Sequence, residues 1–274
     1  MEPETISIIG GQGRMGAFMA RLFNQAGYQV SIFDPKTEQV SWEDAARSDV
    51  VLVAVPIPAV WEVMEKIGPH TRPDGAVIDI ASLKQQPLQA MLQHCRGEVI
   101  GSHPLFGPKI NSMQNQILFV CPARSSRWIG WYRSFFKDCG AKVIDIDPEH
   151  HDRLMSRIQV LRHLSIFCFG RALMRLGFDL ESEAALAGPW FSELTSQLSR
   201  QLEQSPDLFA DLAIFNPTAG QVMEEFLQAA GEVAETFGSQ DRRKITGFIN
   251  EMSSSLRPVS GRPPYLPPEN QTDR

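Results

Sequence analysis

The sequence predicts an α/β N-terminal half, a Rossmann-like doubly wound sheet, followed by an all-α C-terminal half that makes a dimer. From Thr5 to about Ile146 short β-branched runs alternate with helical patterns, as βα units on a parallel sheet do. After Pro148 the β-like runs nearly vanish and apolar residues recur at helical spacing. At roughly 150 residues per domain, a chain of 274 residues reads as two. The boundaries expected are 1–148 and 149–256, with 257–274 as a flexible tail rich in proline.

The strands expected are Ile6 to Ile9, Gln29 to Phe33, Asp49 to Val55, Ala76 to Ile80, Val99 to Ser102, Ile117 to Cys121 and Lys142 to Ile146. The run Val50-Val51-Leu52-Val53-Ala54-Val55 is apolar on both faces, which fits a strand covered by helices on each side. One helix opens at Arg14. Beyond Pro148, helical spacing covers Glu149 to Leu176, Pro189 to Gln204, Thr218 to Phe237 and Gln240 to Leu256, with breaks at Ser205-Pro206-Asp207 and Asn216-Pro217-Thr218.

Composition narrows the partners. A content of 43% apolar and 21% charged residues is that of a folded soluble chain. The net charge of -6 provides no basic field for nucleic acid, so an anionic ligand must meet locally placed cations. Met1-Glu2-Pro3-Glu4 lacks a secretory pattern, and Val50 to Trp61, the longest apolar stretch, holds Pro56 and Pro58 and is too short to span a bilayer. A cytoplasmic chain without membrane contact is expected. Cys95, Cys121, Cys139 and Cys168 are too scattered for a zinc site or disulfide framework, and all four are expected as buried thiols. No residue is assigned to a metal.

Gly11-Gln12-Gly13-Arg14-Met15-Gly16 follows a strand and opens a helix, the setting a dinucleotide fingerprint requires. Gly11 is expected to make the tight turn, Gly13 to admit a pyrophosphate, and Gly16 to let helix and sheet approach. The helix N-terminus then offers free N–H groups to the anion. Asp34, 18 residues after Gly16 at the end of the second strand, is placed to accept from the adenosine ribose. Its charge disfavours a 2′-phosphate, with Lys36 the one cation nearby in sequence, so NAD is expected over NADP.

Ligands of open α/β sheets bind beyond the carboxyl ends of the strands. Two clusters fall there, Ala81-Ser82-Leu83-Lys84 and His103-Pro104-Leu105-Phe106-Gly107-Pro108, and both are expected to face one crevice. A dehydrogenase acting on a carbinol must also take the hydroxyl proton, and His103 is the candidate base. Lys84 could hold a carboxylate or orient a hydroxyl, with Ser82 bonding the same group. His150 and His151, adjacent and without metal-ligand spacing, are assigned no chemistry.

These stretches, with Ile9-Gly10-Gly11-Gln12-Gly13, Val53-Ala54-Val55-Pro56-Ile57, Asp79-Ile80-Ala81-Ser82-Leu83-Lys84 and Ile158-Gln159-Val160-Leu161-Arg162-His163, resemble the prephenate dehydrogenase family. The likeness is closest to the dehydrogenase half of the bifunctional chorismate mutase-prephenate dehydrogenases, with no mutase domain expected before Thr5. The resemblance implies NAD-dependent oxidative decarboxylation of prephenate to 4-hydroxyphenylpyruvate, in tyrosine biosynthesis. It implies that His103 is the base, that Ser82, Lys84, Gln159 and His163 line the site, that Arg200 binds substrate, and that Val55 and Pro56 border the cofactor. Ser192 stands where close relatives carry a further arginine, so 4-amino-4-deoxyprephenate is an alternative substrate.

Two rivals are weaker. A β-hydroxyacid dehydrogenase resembles this chain in its glycine loop but uses a lysine on the interdomain helix, and no lysine occurs between Lys142 and Lys244. A non-catalytic NAD sensor has no need of Ser82, Lys84, His103 and Arg200 together. Apolar helices from Leu161 to Leu176 and Val222 to Phe237 exceed what one small domain covers, so a homodimer joined through residues after Pro148 is expected, each site holding a small anionic cyclohexadiene.

Overall fold

The strands expected from the β-branched runs all form, and they join one sheet. The computed structural model describes residues 2–34, 41–183, 186 and 188–256. The tail from 257 and Lys36 lie outside the described residues. The strands are Thr5–Ile9 (β1), Gln29–Phe33 (β2), Val50–Val53 (β3), Ala76–Asp79 (β4), Glu98–Pro104 (β5), Ile117–Arg124 (β6) and Lys142–Asp145 (β7), in the order β2-β1-β3-β4-β5-β6-β7. The order reverses between β1 and β3, the switch point at which doubly wound sheets bind ligands.

The pairing is parallel except between β5 and β6, which run antiparallel. A wholly parallel sheet was the expectation. The physical reason is the connection: 105–116 carries no helix to act as a crossover, and a parallel neighbour requires one. β5 also runs on to Pro104, so His103 lies inside the strand, paired with Phe119, instead of beyond its end.

Helices Arg14–Gln25 (α1), Trp42–Ala46 (α2), Ile57–Ile67 (α3), Gln85–His94 (α4) and Trp128–Asp138 (α5) cover the sheet. Alternate residues of the strands feed two cores. Val50 and Leu52 pack with Phe23, Trp128, Tyr132 and Phe136 on one face, while Val51 and Val53 pack with Met64, Ile67 and Met91 on the other.

Then come Pro148–Met155 (α6), Leu161–Arg175 (α7), Pro189–Leu202 (α8), Pro206–Phe215 (α9), Ala219–Gly238 (α10) and Arg242–Leu256 (α11). Asp147 caps α6, accepting from the N–H groups of Glu149 and His150 at 3.0 Å each. The helical stretch from Glu149 is interrupted by one wide turn, Ser156–Val160, between α6 and α7. α9 was not expected: Pro206, read as a break, occupies the first turn of a new helix instead. A third core joins Ile57, Ala81, Leu83, Val160, Leu212 and Ala219, and so seats the wide turn and α9 at the carboxyl ends of β3 and β4.

By packing, the chain divides into Met1–Met223 and Glu224–Arg274. In the second unit α11 buries no residue, and Leu227, Val233 and Phe237 of α10 are exposed. Cys95 and Cys121 are buried as expected, but Cys139 is half-buried and Cys168 exposed. Among the described residues no helix is long and apolar enough to cross a membrane.

Candidate active site

The glycine loop sits between β1 and α1. Its left-handed residue is Gly10, φ 78°, rather than Gly11 as the fingerprint suggested. A Cβ on Gly16 would fall 2.3 Å from the Gly10 carbonyl oxygen, so only glycine permits this approach of helix to loop. A Cβ on Gly11 would meet Ile32 of β2 at 2.6 Å. No side chain caps α1, whose first N–H groups, at Arg14, Met15 and Gly16, are therefore open to an anion. Asp34, buried at the end of β2, accepts from the Gln12 N–H at 3.2 Å, which places the acid beside the loop. Gln12, Gly13, Arg14 and Pro56 are exposed around it, with Met15 and Val55 half-buried. These residues fit a dinucleotide: a backbone cradle for the pyrophosphate and a carboxylate bonded to the loop's own backbone for the ribose.

At the ends of β4 and β5, a chain of polar side chains runs into the protein. Asp152 of α6 accepts from the N–H groups of Lys84 at 2.8 Å and Gln85 at 3.0 Å, capping α4 from a different element. The same carboxylate holds His151 Nδ1 at 2.8 Å, His151 Nε2 meets His103 Nδ1 at 2.9 Å, and His103 Nε2 faces the Gln159 amide nitrogen at 3.4 Å. Asp152, His151 and His103 are 1%, 0% and 3% exposed.

Proton positions follow from this order. A carboxylate that accepts two backbone N–H groups also accepts from His151, so His151 carries its proton on Nδ1. Its bare Nε2 must then accept from His103 Nδ1–H. That leaves the lone pair of His103 on Nε2, toward Gln159, whose amide N–H can donate to it. Burial, then the charge of His151 and then that of Lys84, hold His103 well below the ordinary imidazole value. His151 is lowered as well, first by burial and against the pull of Asp152. His103 is a neutral base with one lone-pair nitrogen, Nε2, facing the Gln159 amide.

Lys84 does not open into a crevice. It is 0% exposed, its ammonium bonded to Asp79 and, at 2.7 Å, to the Ser102 carbonyl oxygen. Burial raises Asp79 to about 6, against the pull of Lys84. Ser82 is half-buried in the loop from β4 to α4. Gln159 lies in the wide turn before α7; its Oε1 and Asp79 Oδ2 are buried with no hydrogen-bond partner among the described residues. His163, one turn on, packs edge-on against Phe209 with ring centroids 4.8 Å apart and accepts from Arg162 at 2.6 Å. Burial first, then Arg162, lowers His163 to about 4.

Arg200 is exposed on α8, lining a hollow of about 360 Å³ with Leu180, Thr195, Ser196 and Ser199. Ser192, where the resemblance led to an expected arginine, turns its hydroxyl to the Gly188 carbonyl oxygen at 3.3 Å. The residues sequence reasoning missed are His151 and Asp152. The available signal was helical period: His151 lies four residues before Met155, and both are wholly buried, whereas His150 is exposed.

A glycine cradle with an acid after β2, at the switch point of a doubly wound sheet, defines a dinucleotide-binding protein, and the imidazole chain gives it an acid–base group. The chain belongs to the prephenate dehydrogenase family: residues 20–145 match its nucleotide-binding domain and residues 147–251 its dimerization domain. A probable arogenate/prephenate dehydrogenase of Methanocaldococcus jannaschii is 32% identical over 272 residues, 92% of this chain and 60% of that protein. The T-protein of Haemophilus influenzae is 33% identical over 89% of this chain and 64% of its own length. The chain thus spans less than two thirds of both. Among solved structures, a prephenate dehydrogenase of A. aeolicus in complex with hydroxyphenyl propionate and NAD+ superposes with a TM-score of 0.74 at 17% identity, over 94% of this chain and 98% of that one.

The three lowered imidazoles make stability depend on pH. A group lowered on folding gains a proton on unfolding, so its contribution is full above about 6.5 and is lost as pH falls toward the folded value. Asp79, raised, acts oppositely between about 4 and about 6. The histidines outnumber it, so Tm should fall from pH 6.5 to 5, and His163→Gln should make that slope shallower. A Tm that rises over this range would contradict the burial of these rings.

Proposed function

We propose that the chain catalyses NAD-dependent oxidative decarboxylation of prephenate to 4-hydroxyphenylpyruvate, in the cytoplasm and within tyrosine biosynthesis. The observation carrying this reading is the single lone-pair nitrogen of His103, held at Nε2 by the hydrogen bonds from Asp152 through His151. When bound, the nicotinamide supplies the acceptor for the hydride that leaves the ring carbinol carbon. His103 Nε2 takes the hydroxyl proton as that carbon gains carbonyl character. Carbon dioxide then leaves the ring, the electron pair of the broken carbon–carbon bond completes the aromatic system, and the imidazolium returns the proton to the phenolate oxygen. No net proton is released, so a base of low pKa suffices: it stays neutral at working pH and gives its proton back readily.

Ser82, Gln159 and His163 are read as lining the ring and side-chain positions, and Asp34 as the ribose contact that favours NAD. Arg200 is retained as a carboxylate contact on chemical grounds, an exposed guanidinium among three hydroxyl-bearing side chains. The functional boundary is placed at 148/149, between the nucleotide half and the helical half. Helices α7 and α8 support a homodimer: they frame an apolar hollow of about 470 Å³ lined by Phe167, Leu173, Met174, Leu198 and Leu202, with Met174 and Leu202 largely exposed.

Four measurements test this reading. His103→Asn should keep NAD binding and lower kcat by about 10² to 10⁴, and unchanged turnover would remove His103 from the chemistry. In the unmodified enzyme the acidic limb of kcat/KM should lie below the ordinary ~6.5 of imidazole; a limb above 7 would contradict a buried neutral base. Side-by-side assays on prephenate, arogenate and 4-amino-4-deoxyprephenate should favour prephenate, with Arg200→Ala raising KM more than it lowers kcat. A preference for the amine would assign the chain to the alternative reaction, and reduction of NAD with none of the three would leave a binding protein. Light scattering should give twice the 30.6 kDa chain mass; a monomer at micromolar concentration would contradict the dimer.

A further inference from the structure

We propose that Lys84 is a positioning residue that holds the His103 imidazole from two directions, through its ammonium on the backbone of β5 and through its own N–H on Asp152. The proposal rests on His103 being the base. Lys84 cannot contact a ligand, since its side chain is fully enclosed. Its Nζ donates to the carbonyl oxygen of Ser102, the residue before His103, and to Asp79, the last residue of β4, so one ammonium ties the ends of two neighbouring strands. Its N–H donates to the Asp152 oxygen that also holds His151, and His151 holds His103. Both routes end on the same ring, one through its backbone and one through Nδ1.

The packing is built around this side chain. A Cβ on Gly101 would lie 3.1 Å from Lys84 Cδ, so the strand leaves room for the lysine stem where any other residue would press on it. Ser102 is held on its far side as well: Tyr132 donates to its hydroxyl at 3.0 Å, and that hydroxyl donates to Phe119 O at 3.3 Å. Asp79 keeps one oxygen buried without a partner among the described residues, an unfavourable arrangement that a purely structural pair of apolar side chains would avoid. The pair therefore does something an apolar pair could not: its hydrogen bonds tie the end of β4 to the backbone of β5 just before His103.

Among the described residues, the charged and titratable groups that act on His103 are His151 on α6 and Lys84 at the start of α4; Asp79 at the end of β4, Asp152 on α6, Cys121 on β6 and Tyr132 on α5 belong to the same buried cluster around Lys84 and Asp79. Of these, His151 and Lys84 lower the imidazole by charge.

The test is a titration of His103 by NMR in protein with labelled histidine, the resonance assigned by its loss in His103→Asn. It compares the unmodified enzyme, Lys84→Met, and Asp79→Asn combined with Lys84→Met, which replaces the ion pair by neutral side chains of similar shape. In either variant that keeps a cooperative thermal transition, the His103 midpoint should rise by about one unit. The acidic limb of kcat should move up with it, kcat should fall about tenfold at neutral pH, and the affinity for NAD should hold. A His103 midpoint unchanged in the folded variants would overturn the proposal, and so would a shift with kcat untouched. Should none of the three ring substrates turn over, the reaction assigned above fails, whereas the titration still decides whether Lys84 sets this imidazole.

Discussion

The hydrogen bonds of the Asp152 carboxylate organise the site. From α6 it reaches across to the first N–H groups of α4 and at the same time holds His151. A carboxylate suits a helix N-terminus, where unsatisfied N–H groups and the helix dipole favour negative charge. Because those N–H groups oblige it to accept, the direction of every later hydrogen bond in the chain is settled, out to the lone pair on His103 Nε2. Loss of Asp152 would leave a helix start and an imidazole buried together without their common partner.

The sheet explains why such a chain can be buried at all. β4 and β5 end side by side, bringing Asp79, Ser102 and His103 together, and β6 returns antiparallel to cover the outer side of β5. The third core, around Ala81, Leu83, Val160 and Leu212, then draws the wide turn and α9 onto the same strand ends. A wide turn inside a helix shifts the residues after it around the axis, and such turns recur at functional sites. Here it carries Gln159 to His103 and leaves His163 one turn beyond.

Much of this was legible in the sequence. The alternation of β-branched runs with helical patterns located the seven strands to within a few residues, and the glycine loop between a strand and a helix located the cradle. His103 and Lys84 were singled out because they fall at strand ends. What the sequence left out depended on tertiary direction. Local spacing does not show that β6 runs antiparallel, though the helix-free connection 105–116, with Pro, Gly and Asn, was its signal. Lys84 was expected to hold a carboxylate or orient a hydroxyl, because nothing in the sequence shows that Asp79 and Ser102 O would enclose its ammonium. His151 looked inert beside His150, yet adjacent helical residues point about 100° apart, and only one of the two can face the sheet. Arg200, expected as a substrate contact, lines a hollow on α8 with Leu180, Thr195, Ser196 and Ser199.

The proton assignment on His103 is the statement on which the chemistry turns, and ¹⁵N NMR of the imidazole reads it directly in the free enzyme. Between pH 7 and 8 the account predicts a protonated Nδ1 and a bare Nε2. A proton found on Nε2, with Nδ1 bare, would reverse the hydrogen-bond chain and take away the lone pair assigned to the substrate hydroxyl.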